Sequence, residues 1–357
     1  MEKSDSSESV SRKSAKPASR VSLADIAEKA GVSRMTASRV MRDASGFSAE
    51  TRDRVRAVAG QLGYVPDRIA AAFGSETANT LIGIALPTLG RDLWAQILEG
   101  LEVRLSSAGY QPMMGLVGYD DELEQRWLMS ALAWRPSGLV IAGRERGEAL
   151  RTLLQGLTIP VVEIWNINPT DVNQHRSDPL RVGFDHHSAG YSMGSYIASR
   201  HSGPIGYVGV RPDGVMLGAA RLEGFTAAVR EDRGNDASVE TLLLNDRSSF
   251  YTGYYGTEQL LSSSPKLRAI YYLDDAMAVG GLMLCQQRGL KIPGDVAIAG
   301  FGGLDIGSVL PSRLTTTSVK RLRIGKLAAE NLVSRLDGKP VDACLDVGFE
   351  LVEGVTA

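Results

Sequence analysis

SLADIAEKAGVSRMTASRVMR, residues 22–42, has the pattern of two short helices joined by a tight turn. Ser22 is a favourable N-cap for a first helix, in which apolar residues recur at helical spacing as far as Ala30. Gly31 follows where a tight turn needs a positive φ, which glycine adopts without the steric cost of a Cβ atom. Ser33 can then cap a second helix. The spacing therefore predicts a helix-turn-helix.

The second helix has one apolar face and one basic face. Ala37, Val40 and Met41 fall on the inner side. The opposite side carries Arg34, Met35, Ser38 and Arg39. Such a face fits the major groove of DNA, where an arginine can donate two hydrogen bonds to O6 and N7 of guanine. The pattern predicts sequence-specific binding to double-stranded DNA.

Two further segments extend this pattern. Ser48 opens a third helix whose core stripe is Val55, Val58 and Leu62. After LGYVP, the segment DRIAAAFG at residues 67–74 is rich in alanine, capped by an aspartate and ended by a glycine. It is too short to form a stable helix alone in water. We expect a hinge helix that orders on contact with a partner.

Charge is distributed unevenly along the chain. The 357 residues suit two or three domains and carry a formal net charge of −2. Residues 11–68 contain 12 Lys and Arg against 6 Asp and Glu, so this segment carries +6 and the rest of the chain −8. A basic N-terminal domain beside an acidic remainder favours salt-sensitive contact with phosphates through that domain.

Composition excludes several other classes of protein. Cys285 and Cys344 are the two cysteines, which suggests neither a disulfide framework nor a zinc site. Residues 1–20 are rich in Ser and charge, which predicts a disordered tail rather than a signal peptide. No apolar run is long enough to span a bilayer. We expect a cytoplasmic protein with no membrane partner and no cofactor.

From residue 80 onward, short apolar runs alternate with segments of helical periodicity. Continuously apolar strands that alternate with helices predict parallel sheets covered on both faces, here an α/β unit of two doubly wound subdomains. The runs are LIGIAL at 81–86, GLVIAG at 138–143, IPVVEI at 159–164, IGYVGV at 205–210, AIYYL at 269–273 and VAIAGF at 296–301.

Together these motifs resemble the lactose-repressor (LacI) family of transcriptional regulators, from about Val21 to the C-terminus. The resemblance implies that Arg34, Met35 and Arg39 contact base edges. It also implies that the hinge helix lies in the minor groove with Phe73 as an apolar wedge, where the family more often has Leu. The residues predicted to contact DNA are Ser22, Ser33, Arg34, Met35, Thr36, Ser38, Arg39, Asp67, Arg68, Ala70 and Phe73.

The same resemblance implies a domain plan. An all-α helix-turn-helix domain at 21–66 is followed by a hinge at 67–79 and an effector-binding and dimerisation domain at 80–357. The last domain is expected to be like a periplasmic binding protein, with two Rossmann-like halves at 80–165 with 304–338, and at 166–303 with 339–357. The crossings between the halves are predicted near Trp165, Gly303 and Gly338.

Residues that follow the strands are candidates for binding an effector, because ligands of open α/β sheets bind beyond the carboxyl ends of the strands. Arg221-Leu222-Glu223-Gly224-Phe225 matches the family motif R-x-x-G-F/W, whose arginine points into the ligand cleft. Trp94 could instead be ordinary core, and Asp275 could be only a helix N-cap. The predicted effector contacts are Thr88, Trp94, Glu163, Trp165, Arg221, Ser248 and Asp274.

One departure from the family indicates the kind of ligand. Where the family commonly has G-F/Y-D-D, this chain has GFGG at 300–303. Loss of an acidic side chain while Arg221 is kept favours an anionic effector. IPVVE at 159–163 and VGFD at 182–185 resemble the gluconate-utilisation repressors within the family. This implies an aldonic acid such as gluconate, with Arg221 as the carboxylate partner, although a related hexonate, ketogluconate or idonate would fit equally.

Alternatives to this interpretation are a regulator of a neutral sugar and, more remotely, a sugar enzyme fused to a helix-turn-helix. The chain has neither a G-x-x-x-x-G-K-S/T phosphate loop nor an H-E-x-x-H zinc motif. His186 and His187 are adjacent, so they would diverge on a helix rather than bind one ion. We therefore expect a regulator without enzyme activity that binds a pseudo-palindromic operator as a homodimer.

Overall fold

The computed structural model describes residues 21–41, 45–64, 80–89, 92–167, 179–211, 216 and 218–357. The chain divides into two compact units, residues 1–78 and residues 79–357. Among the residues described, no helix is both long and apolar enough to cross a membrane.

The described residues of the first unit, 21–41 and 45–64, form three helices around a small apolar core: α1 (Leu23–Ala30), α2 (Arg34–Met41) and α3 (Ala49–Gln61). Ser22 and Asp25 form a capping box, in which the Ser22 N–H donates to Asp25 Oδ2 at 2.7 Å. Gly31 has a φ of 65°, as the turn requires. The Thr36 N–H donates to Ser33 Oγ at 3.0 Å. The predicted helix-turn-helix is confirmed.

The second unit alternates strands and helices. Its elements, in chain order, are β1 (Leu81–Leu86), α4 (Asp92–Ser107), β2 (Gln111–Leu116), α5 (Asp121–Ala133), β3 (Gly138–Ala142), α6 (Glu148–Gln155), β4 (Val161–Ile167), β5 (Leu180–Asp185), α7 (His186–Arg200), β6 (Ile205–Val210), α8 (Ala219–Arg233), β7 (Val239–Leu244), α9 (Phe250–Ser263), β8 (Ala269–Tyr272), α10 (Asp275–Gln287), β9 (Ala297–Gly302), α11 (Asp305–Val309), β10 (Thr315–Val319), α12 (Arg321–Leu336), β11 (Cys344–Asp346) and β12 (Phe349–Val352).

The strands form two six-stranded sheets. The first has the order β11-β5-β4-β3-β1-β2 and the second β12-β10-β9-β8-β6-β7. All pairs are parallel except β10 with β12, which is antiparallel. Strands β3, β6 and β9 are buried along their whole length. This confirms the predicted α/β fold with two parallel sheets.

The chain crosses between the two sheets later than predicted at each of the three points. Strand β5 still belongs to the first sheet, so the first crossing follows Asp185 rather than Trp165. Strand β10 belongs to the second sheet, so the second crossing lies at Lys320 rather than near Gly303. Strand β11 returns to the first sheet before β12 joins the second, which places the third crossing near Gly348 rather than Gly338.

The predicted boundaries at 165, 303 and 338 are therefore corrected, and the cause lies in three strands that are not apolar runs. Strand β5 contains Arg181, β10 is the threonine-rich sequence TTTSV, and β11 has three residues. Their pairing with neighbours, rather than their hydrophobicity, determines which sheet they join.

Glycines let helices approach closely on each sheet. A Cβ atom on Gly190 of α7 would lie 1.9 Å from the Arg221 carbonyl oxygen of α8, and one on Gly325 of α12 would lie 2.0 Å from the Ile97 carbonyl oxygen of α4.

Gly190 and Gly194 flank Ser192, so residues 190–194 match the G-x-S-x-G pattern of a nucleophile elbow. Ser192 lies inside a helix, however, and not at the strand-to-helix turn that such an elbow needs.

Candidate functional site

Helix α2 presents the predicted DNA-contacting residues on one side of the first unit. Ala37 and Val40 are buried against the core, while Ser33, Arg34 and Arg39 are exposed. Met35 is 73% exposed, which is unusual for a methionine that serves only packing. Thr36 and Ser38 are half-buried beside them.

One contact orients an arginine of this helix. The Arg39 guanidinium lies over the Phe47 ring, 5.2 Å from its centroid, which is within the range of a cation–π interaction. Ser22 is the N-cap of α1, and its side chain accepts a hydrogen bond from the Asp25 N–H. The predicted contacts Asp67, Arg68, Ala70 and Phe73 lie outside the described residues.

The second unit contains a cavity of about 920 Å³ where strands of both sheets end. Five of the seven predicted effector contacts lie on its wall: Trp94, Trp165, Arg221, Ser248 and Asp274. Strand ends from both sheets contribute, including Gly143 after β3 and Phe301 in β9. The placement follows the rule that applies to ligands of open parallel sheets.

Arg221 provides a buried positive charge on this wall and is 4% exposed. Its Nη1 donates to His186 Nδ1 at 2.9 Å, and its Nη2 donates to the Leu273 carbonyl oxygen at 2.9 Å. The guanidinium also stacks over the Phe301 ring at 3.7 Å from the centroid. In the part of the chain that the structure describes, its hydrogen bonds all go to neutral acceptors.

His186 is kept neutral by its surroundings. Burial, together with the adjacent Arg221 charge, lowers the pKa of this imidazole well below its usual value. A neutral ring can accept a hydrogen bond at Nδ1, as the contact with Arg221 requires. The pair therefore carries a net positive charge.

Asp274 and Ser248 form a polar edge of the cavity. The Ser248 hydroxyl donates to Asp274 Oδ2 at 2.5 Å, and the Met277 N–H donates to Asp274 Oδ1 at 3.1 Å. Asp274 is thus the N-cap of α10, a role that the sequence interpretation considered for Asp275.

Asp275 instead connects α10 to the end of the second sheet. It is fully buried and accepts hydrogen bonds from the Thr316 hydroxyl at 2.5 Å and the Leu304 N–H at 2.6 Å. Burial raises the pKa of this carboxyl to about 6. Its oxygens are used within the protein, and it does not line the cavity.

Aromatic rings from both sheets pack together at the cavity floor. Trp165 lies 5.9 Å from Trp94 and 4.9 Å from Phe184, measured between ring centroids, and 6.3 Å from Phe301 of the second sheet. Trp165 has a φ of 90°, a conformation that is costly for a residue with a side chain. Trp94 is both buried in the core and part of the wall, so the two interpretations of it are compatible.

Glu163 and Thr88 are not on the wall of the cavity. Glu163 accepts from Arg146 Nη1 at 2.8 Å and from Arg181 Nε at 3.4 Å. Its carboxylate therefore belongs to a network of ion pairs beside the first sheet.

Sequence reasoning missed four charged residues that line the cavity: Asp121, Arg144, Glu145 and Arg321. Arg321 is the buried one among these four. It looks like part of the solvated run KRLR at 320–323, yet it is buried and lines the cavity. Arg321 directly follows β10 and Lys320, so the rule about strand ends would have found it had β10 been recognised as a strand.

No cluster of three or more His, Cys, Asp or Glu side chains that could hold a metal ion occurs among the residues with described positions. Both cysteines are free thiols, and Cys285 is buried.

Comparison with known proteins gives consistent matches to both units. The family profile described as "Bacterial regulatory proteins, lacI family" matches residues 22–67, and that of a "Periplasmic binding protein-like domain" matches residues 196–356. The HTH-type transcriptional regulator GntR of Escherichia coli strain K12 is 33% identical over 333 residues, which cover 93% of this chain and 97% of GntR.

Two solved structures are similar to this chain over most of its length. A LacI-family transcriptional regulator from Silicibacter pomeroyi has a TM-score of 0.85 and 33% identity, over 94% of this chain and 99% of its own. The lac repressor dimer bound to operator and the anti-inducer ONPF has a TM-score of 0.80 at 24% identity, over 95% of this chain and 99% of its own, and shares the fold.

Proposed function

Because the chain belongs to the lacI family of bacterial regulatory proteins and is a DNA-binding transcriptional regulator rather than an enzyme, we propose that it represses genes of sugar-acid catabolism. Its effector is an aldonic acid of the gluconate type, bound in the cavity of the second unit. The observation that carries this proposal is the buried charge of Arg221, whose described partners are all neutral.

A buried guanidinium is costly unless an anion accompanies it. A carboxylate ligand supplies that anion and accepts charge-assisted hydrogen bonds. The acidic side chain that the family commonly has after Phe301 is replaced here by Gly302, so the protein itself does not supply the anion at that position. The resemblance to gluconate-utilisation repressors and the similarity to GntR support the same class of ligand.

The remaining wall residues suit a polyhydroxy chain. Asp274 and Ser248 offer oxygen atoms to sugar hydroxyls, and Trp94 and Trp165 offer apolar surface to the carbon atoms. A neutral sugar would use these groups equally well but would leave Arg221 without a counterion. This difference separates the proposal from the alternative of a neutral-sugar regulator.

The DNA is recognised through α2, with Arg34, Met35 and Arg39 facing the base edges of a pseudo-palindromic operator. Homodimerisation is supported by exposed apolar side chains on α9 and α10, namely Tyr251, Tyr255 and Met283. Tyr251 and Tyr255 stack in parallel, 6.4 Å apart between ring centroids. Exposed apolar side chains of this kind favour a protein–protein interface, and a twofold axis matches two recognition helices to two half-sites.

The test is isothermal titration of the full-length protein with gluconate and with glucose. We expect binding of gluconate and at least about tenfold weaker binding of glucose, the factor that one charge-assisted contact gives. Arg221→Met should remove this preference. Arg288→Met, which alters a partly exposed arginine paired with Glu258, is the matched control and should retain it. Equal affinity for the two ligands would refute the sugar-acid proposal.

A further inference from the structure

A second buried arginine lies on the wall of the cavity, where the chain returns from the second sheet to the first. Arg321 begins α12 and is 5% exposed. Its Nε donates to the Gln96 side chain at 3.2 Å, and its Nη2 donates to the Gly303 carbonyl oxygen at 3.1 Å. Two hydrogen bonds from separate nitrogens fix the plane of the guanidinium, so the charge is held at one place.

The two arginines contact different residues at the end of β9. The Arg221 guanidinium stacks on Phe301, whereas Arg321 Nη1 lies 3.8 Å from the place where a Cβ atom of Gly302 would be. Their hydrogen-bond partners also differ, because Arg221 donates to His186 and Leu273, and Arg321 donates to Gln96 and Gly303. We therefore expect two anion positions rather than one shared position.

Gly302 leaves open volume beside Arg321. An acidic residue, common here in the family, would place its carboxylate in that volume, whereas glycine leaves it to the cavity. Asp275 Oδ2 is 3.9 Å from the same Cβ position. Its carboxylate accepts from Leu304 and Thr316, and it also attracts the nearby Arg321 charge. Asp275 does not line the cavity, whereas Arg321 does, so a ligand can meet the Arg321 guanidinium from the cavity.

We propose that Arg321 is a specificity-determining residue that binds a second anionic group of the effector. The preferred ligand is then a polyhydroxy acid with an anionic group at each end of its carbon chain. This inference rests on the proposed function, because it assigns the first carboxylate to Arg221. The cavity of about 920 Å³ lies near the upper end of the range of roughly 300–1,000 Å³ for small-molecule sites, so it has room for such a ligand.

Two sources supply this chemistry: an aldaric acid with a second carboxylate, and an aldonic acid with a terminal phosphate. Both present oxygen pairs that a guanidinium binds through two parallel hydrogen bonds. Calorimetric titration of the full-length protein with gluconate, glucarate and 6-phosphogluconate separates them. We expect one of the two dianions to bind at least about tenfold more tightly than gluconate, as one additional charge-assisted contact gives.

Arg321→Gln should remove this advantage while changing the affinity for gluconate by less than about threefold, because only the second anion position is lost. Arg321→Lys keeps the charge without the planar fork and should keep part of the advantage, and it also serves if the glutamine variant does not fold. Arg323→Gln is the matched control, because Arg323 is an exposed arginine of the same helix and does not line the cavity. It should retain the preference for the dianion.

Three results would overturn the inference. Gluconate binding as tightly as both dianions would refute the second anion position and leave the proposed function intact. An equal loss of affinity for all three ligands in Arg321→Gln would make Arg321 a positioning residue only. Binding of none of the three sugar acids would refute the proposed function together with this inference.

Discussion

Replacing Glu124 with glutamine is expected to destabilise the second unit strongly, because this carboxylate connects a buried network of charges. Glu124 is 1% exposed. Its Oε2 accepts from Arg144 Nη2 at 2.5 Å, and its Oε1 accepts from Arg146 Nη2 at 2.9 Å. Arg144 Nη1 also forms an ion pair with Asp121 Oδ1 at 2.6 Å, and Arg146 Nη1 forms one with Glu163 Oε1 at 2.8 Å.

The magnitude follows from what the substitution leaves behind. Glutamine keeps the shape and one acceptor oxygen, but it turns an NH₂ group toward one of the two guanidiniums. Removal of one partner of a buried ion pair costs about 3–5 kcal/mol, because the other charge stays buried without compensation. Asp121 and Glu163 still compensate part of each arginine, so we expect a loss at the lower end, about 3 kcal/mol.

Urea unfolding followed by tryptophan fluorescence measures this loss. Trp94, Trp127, Trp134 and Trp165 are the four tryptophans of the chain, and all lie in the second unit, so the signal follows that unit alone. Glu122→Gln on the same helix is the control, because Glu122 is exposed and should change stability by less than about 0.5 kcal/mol. A loss below about 1 kcal/mol for Glu124→Gln would show that the network does not depend on this carboxylate.

Three further predictions concern the cavity, the hinge and the helix packing. Arg221→Met should abolish the response of DNA binding to gluconate while operator affinity in its absence stays within about threefold, and a full response in an anisotropy titration would remove Arg221 from the site. Phe73→Ala should weaken operator binding and leave calorimetric binding of gluconate unchanged; unchanged operator affinity would refute the wedge assignment. Gly325→Ala should lower the thermal unfolding midpoint, because its Cβ would lie 2.0 Å from the Ile97 carbonyl oxygen. A midpoint equal to that of the parent protein would contradict the close approach of α4 and α12.

The described helices of the first unit could be predicted almost residue by residue because their signals are local. Ser22, Gly31 and Ser48 each act on backbone groups within four residues, so their roles follow from the sequence alone. The apolar faces of the helices likewise follow from spacing. No long-range contact was needed to place α1, α2 and α3.

The crossings between the sheets depend on long-range pairing and were misplaced for that reason. Strand β10 is threonine-rich, and its identity rests on its pairing with Gly300 and Phe301 of β9. Because β10 was not predicted as a strand, Arg321, which follows it, was not predicted to line the cavity. One unrecognised strand therefore shifted a domain boundary and removed a charged residue from the predicted wall.

Glu163 shows a different limit of sequence reasoning. It stands at the end of the apolar run at 159–164, where a ligand contact is predicted, but β4 continues to Ile167. Its partners Arg146 and Arg181 come from other parts of the chain. Trp165 stands two residues before the end of β4 and lines the cavity. Its positive φ could not be predicted from the sequence pattern. Which of two nearby side chains faces a ligand is decided by tertiary contacts.

Control of DNA binding by a sugar acid in the cavity can be measured by fluorescence anisotropy. A palindromic duplex selected from a random pool is titrated with the full-length protein, with and without millimolar gluconate, and with glucose at the same concentration. We expect tight, salt-sensitive binding that gluconate weakens and glucose does not. Tight binding that neither gluconate nor the dianionic sugar acids change would refute this control.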